Sequence, residues 1–196
     1  MREGLLLFIS AARDLRLERD VVARGVTEIP TSLGWMIKQT PPASRESDLA
    51  AVARADVHVL LLGRDIQAPV GLEWATARRA GRKVALYVHD VPQTQAASGF
   101  MREVARQGER AAAWERFKDA HDLRLKVLRR LGEHLLAHAI DYALADVEQG
   151  RLRAWLAALT DKPGADLRAA DETGGVILST ERYVPKEGKL IVGGRA

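Results

Sequence analysis

The stretch Ala55–Val88, ADVHVLLLGRDIQAPVGLEWATARRAGRKVALYV, leaves few architectures open to this chain. VHVLLL is a continuous apolar run of strand length, the pattern of a strand covered on both faces. GRDIQAPVG is turn chemistry. LEWATARRA is helix-prone and stops at Gly81, a residue suited to the left-handed position just past a helix end. KVALYV then supplies a second apolar strand. Such a βαβ unit puts Glu73 at the start of the connecting helix, above the carboxyl edge of a parallel sheet. Open α/β sheets take their ligands at that edge. A carboxylate there either complements a helix terminus or belongs to a site.

The same alternation runs through the rest of the chain. Leu5–Ser10, LLLFIS, is the first strand, and Ala12–Arg24 is the helix after it, closed by Gly25. Val26–Ile29 reads as a short second strand and Pro30–Ala43 as a loop carrying Gly34, Trp35, Pro41 and Pro42. Ser44–Arg54 reads as a second helix with Ser44 as its N-cap. The third strand is Val57–Leu62, the third helix about Gly71–Ala80, and the fourth strand Val84–Val88. Ser98 is placed to cap a fourth helix ending near Gly108, and Ala112–Phe117 fits either a fifth strand or more helix. Alternating strands and helices specify a parallel, doubly wound sheet. With right-handed crossovers, five strands give a flavodoxin-like three-layer α/β fold of order 2-1-3-4-5, its switch point between strands one and three. Ser10, the Gly63-Arg64-Asp65 run and Glu73 are then expected around one crevice.

From Ala120 the pattern changes to a long amphipathic helix, with Leu128, Leu131, Leu135, Ala139 and Tyr142 at three- and four-residue steps. The expected organisation is an α/β domain over residues 1–119, a helix or helix pair over 120–160 whose start packs on the sheet, and a tail over 161–196. In that tail VIL and LIV flank VPKEGK, a hairpin-like arrangement. A lone hairpin is marginal in water. The helix past Ala137 also exceeds what a five-strand sheet needs, so a homo-oligomer using these segments is expected.

Composition narrows the chemistry. The chain has 196 residues and no cysteine, which excludes disulfides, thiolate catalysis and cysteine-ligated metal centres. No apolar run approaches the roughly 20 residues of a membrane span. The opening MREGLLLFIS has too short an apolar core for a signal peptide. A cytoplasmic protein without a membrane partner is expected. The net charge is +4, with basic and acidic residues interleaved, so no specific nucleic-acid partner is expected. Neither a Walker loop nor a GxGxxG run follows a strand, which speaks against ATP hydrolysis and Rossmann-type redox. His134 and His138 sit four apart without an HExxH pattern, read as packing, and leave no metal expected.

FISAARDLRLERDVV resembles the opening of a family of TIR-like domains of unknown function, whose first strand and helix read approximately FISS…DL..ER. Phe8, Ile9, Ser10, Asp14, Leu15, Glu18 and Arg19 carry the resemblance. It continues through ADVHVLLLG, LEWATARRAGRKV and WERFKDAHDLRLKVLRRL, and covers about residues 5–135. The family is similar in fold to TIR domains and to nucleoside deoxyribosyltransferases. Both relatives use a glutamate near the start of the helix after strand three to attack or stabilise the anomeric carbon as an N-glycosidic bond breaks. Glu73 occupies the matching position. The transferases' pattern, roughly DSGT.FE.G.A...GKPV, is echoed at Gly71, Glu73, Ala77, Gly81, Lys83 and Val84. The chain departs from it with Pro69 and Val70, and departs from the TIR-like family's Tyr-Gly with Arg64-Asp65.

What the resemblance implies is a domain that recognises a nucleotide such as NAD in a signalling or defence context. It would cleave the N-glycosidic bond with Glu73 as its catalytic carboxylate and need no cofactor. The ligand-binding candidates are Ser10 and Arg13 near the first strand's end, Arg64 and Asp65 after the third, and Trp74, which can stack on a base; Trp35 is a further stacking candidate. Each also has a plain structural account: a capping hydroxyl, surface arginines, rim tryptophans, and a glutamate worth about 0.3–1 kcal/mol at a helix start. Two alternatives stand beside this: a non-catalytic TIR-like signalling or assembly module, and a true nucleoside deoxyribosyltransferase. A catalytic protein should show Glu73 facing a crevice with polar neighbours. An assembly module should show that crevice shallow or filled by Trp35 or Trp74.

Overall fold

Leu5, Leu7, Ile9 and Ala11 point to one side of the first strand, β1 (Gly4–Ala11), and pack into the larger apolar cluster. Phe8, on the alternate side, packs with Ala51, Val52, Ala55 and Ala77. This two-sided burial follows from the strand pleat, which sends successive side chains to opposite faces. The computed structural model describes residues 4–42, 45–107 and 114–161. The Ser44 cap and the tail hairpin proposed from the sequence lie outside the described residues.

Five strands form one all-parallel sheet in the order β2-β1-β3-β4-β5, as the alternation of apolar runs predicts. The remaining strands are β2 (Gly34–Gln39), β3 (Val57–Leu62), β4 (Val84–His89) and β5 (Glu115–Phe117). The register sets Phe8 opposite His58 and Ser10 opposite Leu60. Helices α1 (Arg16–Gly25) and α5 (Ala120–Ala137) supply Val22, Leu123, Val127, Leu128, Leu131 and Leu135 to the core on one face. On the other face lie α2 (Leu49–Arg54), α3 (Ala68–Arg79) and α4 (Gln95–Gln107), which supply Val52, Val70, Trp74, Ala77, Ala97 and Val104.

Two sequence expectations are corrected on the first crossover. Val26–Glu28 is a 3-10 turn, not a strand; Ile29 donates its N–H to Val26 O (3.2 Å) and Pro30 follows. The strand is Gly34–Gln39, inside what reads as a loop. β2 is an edge strand, so Trp35 and Ile37 pack inward while Met36 stays exposed, and the apolar signal is diluted. Helix α2 is shorter than expected and is capped by Asp48, whose carboxylate accepts the Ala51 N–H at 2.9 Å. Likewise Thr94, not Ser98, caps α4, accepting the Ala97 N–H at 3.2 Å.

Helix α3 starts at Ala68, three residues earlier than expected. Pro69 sits in its first turn, where a missing N–H costs nothing. Glu73 is therefore in the second turn, not at the helix start. At the far end Gly81 adopts φ +67°, and the Gly81 and Arg82 N–H groups donate to Arg78 O and Ala77 O, both at 2.9 Å. That is the paired bonding of a left-handed glycine cap, as the sequence suggests.

The long helix divides in two. α5 ends at Ala137, and α6 (Asp146–Asp161) begins after a turn in which Ala143 takes φ 51°. Leu128, Leu131, Leu135, Ala139 and Tyr142 are all buried, so the apolar stripe is real although the helix is interrupted. α6 folds back on α5, burying Leu152 completely and seating Leu156 against Gly132.

Candidate active site

Ser10, next to last in β1, and Glu73, in the second turn of α3, meet at the carboxyl edge of the two central strands. The parallel register and the pleat put Phe8, Ser10 and His58 on the face that carries α3. Glu73 has no exposed surface. A buried carboxylate needs hydrogen-bond donors, and Glu73 receives three hydroxyls from three segments. Ser10 Oγ donates to Oε2 at 2.6 Å and Thr40 Oγ1 to the same oxygen at 2.7 Å. Ser47 Oγ donates to Oε1 at 2.6 Å.

Each donor is itself held. Thr40 directly follows β2, and its N–H reaches Ile9 O at 3.1 Å. Its hydroxyl oxygen accepts the Ala11 N–H at 3.1 Å, and its carbonyl accepts from Arg19 Nη1 at 3.2 Å. Ser10 Oγ lies 2.8 Å from His58 Nε2. Burial pushes the His58 imidazole down from its ordinary 6.5 to about 4, so it is neutral at pH 7. Ser47 is only half-buried and precedes Asp48, which Lys38 Nζ anchors at 2.6 Å. The two carboxylate oxygens thus differ: Oε2 is fixed by buried hydroxyls at the ends of β1 and β2, Oε1 by Ser47 farther along the β2–α2 segment.

The loop after β3 is tied down by the first crossover. Asp14 Oδ2 accepts the Arg64 N–H at 2.9 Å. Gly63 makes that approach possible, because a Cβ there would stand 2.3 Å from Asp14 Oδ2. Asp14 and Arg19, both within the DL..ER run, therefore secure the segments that follow β3 and β2.

Of the residues singled out from the sequence, the structure brings together Ser10 and Glu73. Arg13 and Arg64 are exposed at the same edge of the sheet, following β1 and β3. Asp65 turns toward α4: Thr94 Oγ1 donates to it at 2.6 Å, and that bond, with the Ile66 N–H, holds its carboxyl below the usual range. Trp74 points away from Glu73 into the cluster of Leu60, Leu62 and Val70, edge-on to Phe100 at 5.3 Å and beneath the Arg78 guanidinium at 5.2 Å. Trp35 packs on the opposite face of the sheet, among the α1–α5 cluster. Neither tryptophan fills the space at Glu73; hydroxyls do. A hollow of about 370 Å³ between α3 and the end of α4 is lined by Trp74, Ala75, Arg78, Arg79 and Gln107, not by Glu73.

Sequence reasoning missed Thr40, Ser47 and His58 as site residues. His58 did carry a signal: a lone polar residue in a fully buried central strand, VHVLLL, demands a partner. Thr40 and Ser47 carried none, since they belong to a segment read as loop and helix. Among the described residues no cluster of three or more His, Asp or Glu could hold a metal ion, and no helix is long and apolar enough to cross a membrane. No family model and no curated protein matches the chain.

Proposed function

We propose that this chain is a TIR-like domain that recognises a nucleotide such as NAD and cleaves its N-glycosidic bond, with Glu73 as the catalytic carboxylate. The observation that supports this is the asymmetric hold on a carboxylate at the switch point. Ser10 and Thr40 fix Oε2 from the ends of β1 and β2, and a single half-buried hydroxyl, Ser47, occupies Oε1. A ribose hydroxyl can replace Ser47 Oγ without disturbing the rest, leaving Oε1 against the sugar carbon. As the bond from that carbon to the base nitrogen breaks, the base leaves with the electron pair. Positive charge builds on the sugar, which Oε1 stabilises or captures as a glycosyl ester that water then hydrolyses. Arg13 and Arg64 are placed at the rim to meet phosphates.

One observation favours a second reading. Glu73 is wholly enclosed, with all three hydroxyl partners in place. The same polar knot would serve a non-catalytic signalling or assembly module by tying β1, the β2–α2 segment and α3 together. Nicotinamide release from NAD, and base release from deoxynucleosides, separates the two. Glu73→Gln should lose about 10³-fold or more, as for other charge-stabilising groups. Activity that survives the substitution removes Glu73 from the mechanism, and no activity in the wild type at high enzyme concentration leaves the assembly module.

A further inference from the structure

Ser10 has one hydroxyl proton and two partners, Glu73 Oε2 at 2.6 Å and His58 Nε2 at 2.8 Å. The 2.6 Å contact is a bond that Ser10 Oγ donates to Glu73 Oε2, so its one proton points at Glu73. The contact with His58 is then a hydrogen bond that Ser10 Oγ receives. A neutral imidazole carries a single N–H, which places it on Nε2 and leaves Nδ1 a bare lone pair. His58 Nδ1 is buried and has no partner among the described residues, which agrees, since an orphaned acceptor is better tolerated than an orphaned N–H. The Phe8 ring stands edge to face with the imidazole at 5.5 Å and 82°, and restricts its plane.

From this arrangement we propose that His58 is a positioning residue: its Nε2–H tautomer donates to one lone pair of Ser10 Oγ and so holds the Ser10 hydroxyl proton on Glu73 Oε2. His58 touches no substrate and transfers no proton. The same bond direction removes Ser10 and His58 as a nucleophile and base pair, because a base would face the hydroxyl with an unprotonated nitrogen. The tautomer follows from the Ser10–Glu73 bond direction and a neutral imidazole; its effect on turnover rests on the proposed function.

The full chain labelled with ¹⁵N-histidine tests this near neutral pH. Long-range ¹H–¹⁵N correlation reads the five imidazoles, and His58→Gln assigns one of them by its loss. The expected result is a protonated Nε2 and an unprotonated Nδ1. An unprotonated Nε2 overturns the proposal, whatever the protein hydrolyses. Glutamine keeps an amide N–H near the Nε2 position and leucine has none. With NAD as the probe, His58→Leu should lower kcat at least about tenfold with little change in KM, and His58→Gln should recover most of it. Equal kcat in all three proteins overturns the proposal. If the wild type is inactive, the proposed catalysis fails and the Glu73 carboxyl ¹³C resonance takes the place of kcat. It should move in His58→Leu and return in His58→Gln, and a resonance unmoved in both overturns the positioning role. Should His58→Leu not fold, the wild-type tautomer decides.

Discussion

Glu73 changes meaning once its partners are known. A glutamate at a helix start is worth about 1 kcal/mol at most, and its replacement would barely register. With three hydroxyls aimed at a fully buried carboxylate, truncation strands the two buried donors, Ser10 and Thr40. Glu73→Ala should therefore destabilise by about 3 kcal/mol or more, at roughly 1–3 kcal/mol per stranded group. Glu73→Gln can keep its oxygen at the Oε2 position and turn its amide toward Ser47, whose hydroxyl then accepts. It should cost about half as much or less. Urea titrations of the two variants check this, and losses under about 1 kcal/mol in both would show that the hydroxyl array has little energetic weight. This ordering is also what makes Glu73→Gln the suitable variant for activity.

At the scale of elements, the loop after β3 has one exacting position. Gly63→Ala must push its Cβ into the Asp14 carboxylate and break the bond to the Arg64 N–H. A loss of about 2 kcal/mol is expected, in the range of forced overpacking, and any catalysis should fall with it. Thermal melts that match the wild type would refute the clamp. The α5–α6 turn offers the opposite case. Ala143 sits at φ 51°, where a Cβ costs roughly 1–2 kcal/mol and glycine has no such penalty. Ala143→Gly should hold or raise stability by up to about 1 kcal/mol, whereas Ala137→Gly, at the end of the preceding helix, should not raise it. A drop in the Ala143→Gly midpoint would contradict the turn geometry.

At the scale of the whole molecule, the buried imidazoles link stability to pH. An unfolded histidine takes up a proton near its ordinary 6.5, whereas His58 and His134 do so only at about 4, both chiefly because burial disfavours the charged ring. Between those values the unfolded state binds more protons, so stability rises with pH. The contribution is complete above about pH 6.5, is lost as pH falls, and stops changing below about 4. His58 accounts for about 3 kcal/mol of that swing and the half-buried His134 for less. His58→Gln should flatten the dependence between pH 6.5 and 4, and an unchanged slope would exclude His58 as its source. Self-association, expected from the amphipathic segments past Ala137, is open to the same scale of test. Ile140 and Val147, beside the α5–α6 turn, are 95% and 68% exposed. Light scattering should report a dimer or larger at micromolar concentration, and a monomer at high micromolar concentration would count against it.

The sheet was legible in the sequence because its evidence is local. VHVLLL, LLLFIS and KVALYV are apolar runs of strand length, and their alternation with helical segments specifies a parallel sheet. The left-handed cap at Gly81 was legible for the same reason. The edge strand was not, because Gly34–Gln39 buries only part of its surface and its periodicity is correspondingly weak. Ser10 and Glu73 could be named as neighbours, since the switch point is a property of strand order. Their chemistry was decided elsewhere. Thr40 and Ser47 stand 33 and 26 positions from Glu73, beyond the roughly 18 residues over which periodicity is read, and His58 reaches the site through Ser10, 48 positions away. Only folding desolvates Glu73 and forces its carboxylate to find donors, and that demand, absent in the extended chain, is what selects the Ser10, Thr40 and Ser47 hydroxyls from among the many in the sequence, with His58 held to Ser10 in turn.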